Sequence, residues 1–191
     1  MPSFVGANVK FRDGFLSEHS IVFDVGGYKG EWSQQIAERY NPYIHIFEPV
    51  PQFFHLITSK FSQNLKISTY NFGLFGENTT APISIGGESS SIYKLTNEEV
   101  EISLMDIDDF LIRNGIQQID LIKINIEGAE YSLLQRMINQ RIVERCQDIQ
   151  VQFHKFYPRA VELRDEIRSS LQSTHYLTFD YPFVWENWRR K

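Results

Sequence analysis

The chain is poor in cysteine and has no excess of basic residues, and each scarcity excludes a class of protein. Its single cysteine, Cys146, cannot form an internal disulfide or a cysteine-rich zinc site, and this usage is typical of a reducing compartment. The 19 Lys and Arg residues face 24 Asp and Glu residues, and the formal net charge is -5. A broad nucleic-acid-binding face needs clustered cations, so we expect no nucleic-acid partner.

Long apolar runs are also missing. No segment approaches the roughly 20 apolar residues that span a bilayer, and the first residues lack the apolar stretch of a signal peptide. The 191 residues, 42% of them hydrophobic, suffice for one sizeable core. We therefore expect a soluble, cytoplasmic protein that forms a single domain over residues 1–191, with its core from about 20 to 180.

Strand and helix patterns alternate along the chain, which predicts an α/β fold. Strands are predicted at 20–25, 43–48, 66–72, 119–126, 148–154, 176–180 and 183–188. Helices are predicted at 31–40, 50–62, 107–114, 128–140 and 158–172, with Asp106 as the cap of the third. Glycines and serines break any period from 73 to 100, where we predict a loop with one short strand at 83–85; a lid, a binding loop and plain surface flexibility all fit it.

A buried strand that breaks into a glycine cluster is the most informative segment. The apolar run Ile21–Val25 is followed by Gly26-Gly27-Tyr28-Lys29-Gly30. Glycine accepts positive φ and lets the backbone approach a ligand closely, so the cluster predicts a loop that holds a flat or charged group. A tight turn without a ligand is the plain alternative.

A second strand ends in an acid, Glu48, which lies about 20 positions beyond the glycines, the spacing at which a carboxylate accepts ribose hydroxyls. A dinucleotide site requires the register Gly-x-Gly-x-x-Gly, which this loop lacks. Asp24, just ahead of the glycines, would repel a pyrophosphate but suits an ammonium. The sequence therefore favours S-adenosylmethionine over a nicotinamide dinucleotide.

Ligands of parallel sheets bind beyond the carboxyl ends of the strands, so the remaining strand-end residues are candidates as well. They are Asn71, Asn125, Glu127 and His154. In the strand before Glu127, Lys123 interrupts an apolar run, which a buried strand tolerates where its end opens into a site. A structural ion pair between Lys123 and Glu127 is the alternative.

These segments resemble a known family. Asp24-Val25-Gly26 with a nearby glycine, Phe47-Glu48-Pro49 and Ile122-Lys123-Ile124-Asn125-Ile126-Glu127-Gly128-Ala129-Glu130 are together similar to the FkbM family of S-adenosylmethionine-dependent methyltransferases. The resemblance runs from about residue 20 to 140. The family motif usually reads Lys-Ile-Asp-x-Glu-Gly-x-Glu, and Asn125 replaces its aspartate, which removes a charge.

The resemblance implies a Rossmann-like three-layer fold, with a mostly parallel seven-stranded sheet whose last strand is antiparallel. It also implies methyl transfer to oxygen, typically a sugar hydroxyl on a glycan, glycolipid or natural product. The residues expected at the cofactor are Asp24, Gly26, Gly27, Tyr28, Gly30, Glu48, Asn71 and Asn125. Asn125 and Glu127 are expected to face the reacting centre, together with His154.

Transfer to a hydroxyl requires a proton acceptor, and we predict His154 as the base and Glu127 as a positioning group, because helix N–H groups at a strand-to-helix junction stabilise a carboxylate anion. No metal ligand set is predicted, and metal dependence stays open: Asn125 is a poor ligand for Mg²⁺, whereas Glu127 and His154 are able to serve as ligands. Two other functions stay open: a non-catalytic adenosyl-ligand-binding subunit, prompted by Asn125, and a nicotinamide oxidoreductase. Trp185 and Trp188 suit a sugar ring, the core or a homodimer contact.

Overall fold

The computed structural model of the chain describes residues 16–86, 89–91 and 99–191. Its strands are β1 Ile21–Val25, β2 Tyr43–Phe47, β3 Ile67–Tyr70, β4 Gly73–Phe75, β5 Thr79–Gly86, β6 Ser89–Ser91, β7 Glu99–Asp106, β8 Ile119–Ile124, β9 Cys146–Val151, β10 His175–Tyr181 and β11 Trp185–Arg190. Its α-helices are α1 Glu31–Tyr40, α2 Pro51–Phe61, α3 Ile107–Asn114, α4 Glu130–Asn139 and α5 Ala160–Leu171. A short 3₁₀ helix spans Ile142–Arg145.

Seven strands form the main sheet, in the order β10-β11-β9-β8-β1-β2-β3. The strands from β9 to β3 in this order pair in parallel, whereas β11 is antiparallel to both of its neighbours. The mostly parallel sheet with an antiparallel last strand is therefore confirmed. Residues 1–15 of the predicted domain lie outside the described residues.

Helices cover both faces of this sheet and make three layers. On one face, Ile36 of α1 and Ile57 of α2 pack against Val22 and Leu121. The other face holds a larger cluster in which α3, α4 and α5 bury side chains against β8 and β9. The predicted helices are confirmed to within two residues at each end. The Asp106 side chain accepts a hydrogen bond from the Asp108 N–H at 2.8 Å, so the predicted cap of α3 is confirmed as well.

The prediction of a loop over 73–100 is wrong for most of the part that the structure describes, although the short strand predicted at 83–85 does lie within β5. There β4, β5, β6 and β7 form a second sheet of four strands, while residues 87–88 and 92–98 of the predicted loop lie outside the described residues. Apolar side chains on alternate positions hold it: Ile83, Ile102 and Leu104 pack on Val50 and Phe53 at the start of α2. The small sheet therefore packs beside the carboxyl end of β2, against the start of α2.

Candidate functional site

The glycine loop is shaped by the protein's own backbone. The N–H groups of Gly26 and Gly27 both donate to the Phe47 carbonyl, at 3.0 and 3.1 Å, and tie the loop to the end of β2. Gly26 has φ +88°, and a Cβ there would lie 2.1 Å from the Asn125 carbonyl oxygen. Only glycine fits such an approach between two neighbouring strand ends. Gly27 and Gly30 lie in the same loop, packed against Ile46 and against α2.

Asp24 lies beneath this loop and not at its surface. Its carboxylate is 0% exposed; one oxygen accepts from the Ser33 hydroxyl at 2.6 Å and the other from the Lys123 ammonium at 2.8 Å. Lys123 also donates to the Gly26 carbonyl at 2.7 Å. The structure therefore corrects two placements: Asp24 faces Lys123 instead of a cofactor ammonium, and the alternative Lys123–Glu127 ion pair is replaced by a Lys123–Asp24 pair.

Glu48 closes the other side of the loop. Its two oxygens accept from the Tyr28 N–H at 2.7 Å and from the Val50 N–H at 2.9 Å. Burial raises the pKa of Glu48 to about 7, against the opposing effect of these two backbone hydrogen bonds. The Glu48 carboxyl group thus fixes the loop to the start of α2. Because its pKa is near neutral, its protonation state depends on the groups that occupy the cavity beside it.

A cavity of about 150 Å³ opens between these loops. Its polar lining comes from Glu48, Asn125 and Glu127. Its apolar lining comes from the glycine loop, from the end of β2, from α2 and from the small sheet, and includes Tyr28, Pro49, Val50, Phe53, Leu74, Ile83, Ile102 and Leu104. Five of the predicted site residues line the cavity: Gly26, Tyr28, Glu48, Asn125 and Glu127.

The other predicted site residues do not line the cavity, and most of them support residues that do. Asp24, Gly27 and Gly30 support the loop from within, and His154 contacts Glu127 from the side of β9. Asn71 is exposed, and its amide donates to the carbonyls of Glu48 and Pro49 at 3.2 and 3.1 Å. It therefore holds the turn after β2 and does not reach the cavity.

Asn125 contributes a buried acceptor. Its side-chain oxygen has no hydrogen-bond partner among the described residues, although the residue lines the cavity. An unsatisfied buried oxygen costs free energy, of the order of 1–3 kcal/mol, until a donor reaches it. The position is therefore suited to a ligand N–H or O–H group.

A histidine lies between two acids beside the cavity. His154 places Nε2 at 3.4 Å from Glu127 Oε1 and Nδ1 at 2.8 Å from Glu130 Oε1. Burial lowers the pKa of His154, but the hydrogen bonds and charges of Glu127 and Glu130 outweigh it and raise the pKa to about 9. The sequence predicts His154 as the base; at neutral pH the ring carries a proton already, so the structure does not favour that role.

The turn before α4 also differs from its prediction. The N–H groups of Ile126 and Gly128 are bound by Glu130, at 2.9 and 2.8 Å, and not by Glu127. Glu127 is instead held in the left-handed region, with φ +54°, and its side chain reaches the cavity. The partners of Glu130 depend on how this turn closes, so the local sequence does not predict them.

Trp188 is one of the two tryptophans that the sequence offered for a sugar ring, the core or a homodimer contact. Trp188 is fully buried in the core, with its Nε1 donating to Glu186 at 3.0 Å, so it does not face a ligand. Among the described residues, none of the helices is long and apolar enough to cross a bilayer. Within the same residues, no group of three or more His, Cys, Asp and Glu side chains is arranged to hold a metal ion.

Three solved structures illustrate the similarity of the fold. The METTL16 methyltransferase domain is 14% identical, with a TM-score of 0.53, over 90% of this chain and 59% of that one. An rRNA methylase from Streptococcus thermophilus is 10% identical, with a TM-score of 0.52, over 93% and 90%. M. capricolum TrmK, in complex with S-adenosyl-homocysteine, is 8% identical, with a TM-score of 0.53, over 92% and 64%. At these identities the likeness shows the fold alone.

The sequence comparisons are more specific. No curated protein sequence matches the chain. The family model described as the methyltransferase FkbM domain matches residues 24–179, which include the glycine loop, Glu48, the segment from Lys123 to Glu130 and His154. The chain therefore belongs to the FkbM methyltransferase family, and its cofactor is S-adenosylmethionine.

Proposed function

We propose that this chain transfers a methyl group from S-adenosylmethionine to a hydroxyl oxygen, with a sugar as the acceptor. One observation carries the proposal: the cavity is lined by two carboxylates on opposite sides of the glycine loop, Glu48 after β2 and Glu127 after β8. The first suits the ribose hydroxyls of the cofactor. The second is the acid beside which an acceptor hydroxyl would lose its proton.

The lining fits the cofactor in three respects. Tyr28, Val50 and Phe53 offer an apolar surface for the adenine, with the Tyr28 and Phe53 rings 4.5 Å apart between centroids. Glu48 accepts hydroxyl donors, which ribose supplies. The Asn125 side-chain oxygen, which has no partner among the described residues, would accept a hydrogen bond from the methionine ammonium, so a neutral amide would serve where the family usually has an aspartate.

Glu127 is the residue we assign to the reacting centre. When bound, the cofactor supplies a methyl group on a sulfonium, which an acceptor oxygen attacks in line. Glu127 holds the acceptor hydroxyl and takes its proton, which is worth about 10²–10⁴-fold in rate. His154 faces Glu127 at 3.4 Å and fixes the carboxylate in place. In this proposal His154 orients and does not itself accept the proton.

Exposed aromatic and apolar groups beside His154 support a sugar as the acceptor. The Phe156 ring lies 5.4 Å from the His154 ring between centroids and is 41% exposed. β11 runs antiparallel to β9, with Glu186 opposite Val151 at the end of β9. The turn between β10 and β11 therefore lies at the end of the sheet where His154 follows β9, and its Val184 is 40% exposed. Aromatic faces stack on the C–H face of sugar rings, and we assign Phe156 that task.

The cofactor part of the proposal is tested by calorimetry with S-adenosylhomocysteine. We expect binding by the wild type and weaker binding by Glu48→Gln, which loses the anionic acceptor. Glu38→Gln, on the exposed face of α1, is the matched control and should bind like the wild type. Absence of heat, together with absence of protection from thermal unfolding, would refute cofactor binding.

The reaction part is tested with a radiolabelled methyl donor and two acceptor panels, one of methyl glycosides and one of primary amines. We expect label in the glycosides, and we expect Glu127→Gln to lose at least about 10²-fold in rate while it still binds S-adenosylhomocysteine. Label in the amines alone would overturn the sugar assignment. Binding without transfer to either panel would favour the non-catalytic subunit.

A further inference from the structure

Glu130 is a fully buried acid that does not line the cavity. Its side chain is 0% exposed and accepts three hydrogen bonds. Oε1 accepts from the Ile126 N–H at 2.9 Å and from His154 Nδ1 at 2.8 Å, and Oε2 accepts from the Gly128 N–H at 2.8 Å. A carboxylate that is buried in this way is stable only while all of its donors stay in place.

Two of these donors flank Glu127. Residues other than glycine rarely adopt positive φ, and Glu127 has φ +54° with Gly128 at φ +109° behind it. By binding the N–H groups on both sides, Glu130 holds the peptide of Glu127 in this sparsely populated conformation. The direction in which the Glu127 side chain leaves the backbone is thereby set.

The third donor orients the histidine. Because Nδ1 faces Glu130, Nε2 must face Glu127, and the ring cannot turn without breaking the buried bond. The backbone of His154 is fixed as well: its carbonyl accepts from the Tyr131 hydroxyl at 3.0 Å and from the Tyr157 N–H at 3.3 Å. Among the described residues, the titratable groups at His154 are the carboxylates of Glu127 and Glu130, which face the ring, and the phenol of Tyr131, which faces the carbonyl.

We propose that Glu130 is a positioning residue of the methyl-transfer site, which fixes both the backbone of Glu127 and the His154 ring that holds the Glu127 carboxylate. The inference rests on the proposed role of Glu127. It assigns Glu130 no contact with the cofactor or the acceptor. Its removal therefore affects the chemical step and leaves the adenosine end of the cavity as it is.

The first test follows the ring nitrogens of His154 by NMR in the wild type, in the absence of donor and acceptor. We expect His154 to stay protonated at neutral pH and to titrate at about 9. In Glu130→Gln the midpoint falls by about 1–3 pH units, because one of two neighbouring charges is gone. A wild-type midpoint near 6.5, the ordinary value for histidine, would overturn the proposal whether or not the variant folds.

Tyr131→Phe is the matched control. It removes a hydrogen bond to the backbone of the same histidine and leaves both carboxylates in place, so the midpoint should stay at the wild-type value. If Tyr131→Phe lowers the midpoint as far as Glu130→Gln does, the shift reflects loosened packing, and the positioning role is refuted.

The second test separates this inference from the proposed function. With an acceptor that the wild type methylates, Glu130→Gln should lower kcat by tenfold or more and shift the pH profile of kcat, with the affinity for S-adenosylhomocysteine unchanged. An unchanged kcat and profile would refute the positioning role. If the wild type methylates no acceptor, the proposed function fails, whereas the titration still decides the part that Glu130 plays in holding His154.

Discussion

Substitution of Lys123 by methionine gives the sharpest test of how the glycine loop is held. The Lys123 side chain is 7% exposed and that of Asp24 is 0% exposed, and their 2.8 Å contact is the buried ion pair under the loop. Methionine fills a similar volume but leaves the Asp24 carboxylate with the Ser33 hydroxyl as its remaining side-chain donor. The charge of Asp24 then stays buried and uncompensated.

The expected cost is large for a single substitution. Removal of one partner from a buried pair costs about 3–5 kcal/mol, and a chain of this length loses roughly 2–4 °C in Tm for each kcal/mol. Lys123→Met should therefore lower Tm by roughly 6–20 °C. The double variant Asp24→Asn, Lys123→Met should regain most of this loss, because the amide carries no charge and still accepts from Ser33.

Thermal and urea unfolding of the two single variants and the double variant measure this coupling. Lys60→Met is the matched control, since Lys60 is exposed and also donates to a backbone carbonyl, that of Lys29 at 3.0 Å. It should change stability by no more than about 0.5 kcal/mol. The reasoning is refuted if Lys123→Met costs less than about 1 kcal/mol, or if the double variant is no more stable than the single one.

Three further outcomes are expected. Gly26→Ala should lower the free energy of unfolding in urea by several kcal/mol, because its Cβ would lie 2.1 Å from a backbone oxygen. Gly115→Ala is the control: its φ is +63° but no atom lies within 4 Å of the added Cβ, so it should cost about 1–2 kcal/mol. Equal losses in the two variants would contradict the steric explanation. Stability should also depend on pH through His154: its pKa rises from 6.5 to about 9 on folding, so its contribution is fully present below 6.5 and is lost as the pH rises through about 9. The loss amounts to about 3 kcal/mol, and a flat urea midpoint across that window would count against the pairing. Burial raises the pKa of the Cys146 thiol to about 12, so a thiol reagent at pH 8 should label it only after unfolding; rapid labelling of the native protein would show the opposite.

The order of strands and helices followed from the sequence because the periodicities are strong and local. Apolar residues recur at helical spacing in α4 and α5, and the buried strands are short apolar runs. The small sheet was missed because glycines and serines interrupt its strands. One signal was available: Val100, Ile102 and Leu104 alternate with polar residues over β7, which is the period of a half-buried strand.

The partners within the site could not be predicted in the same way. Asp24 and Lys123 both stood out in the sequence, but they pair because β1 and β8 lie side by side with these two residues opposite each other. Register is a property of the assembled sheet, and a chain does not display it locally. For the same reason the sequence leaves a Lys123–Glu127 ion pair open as an alternative, whereas in the structure Lys123 pairs with Asp24 and Glu127 faces His154.

The four acids around the cavity differ in what neutralises them, and this difference assigns their tasks. Asp24 has Lys123, and Glu127 and Glu130 share His154. Within the described residues, Glu48 accepts from two backbone N–H groups and forms no ion pair, and burial raises its pKa to about 7. Glu48 is therefore the acid whose charge a ligand can alter. Because hydroxyl groups that donate hydrogen bonds favour the carboxylate anion, binding of the cofactor ribose should release a proton from Glu48 near neutral pH. The affinity for S-adenosylmethionine should therefore rise as the pH increases through 7.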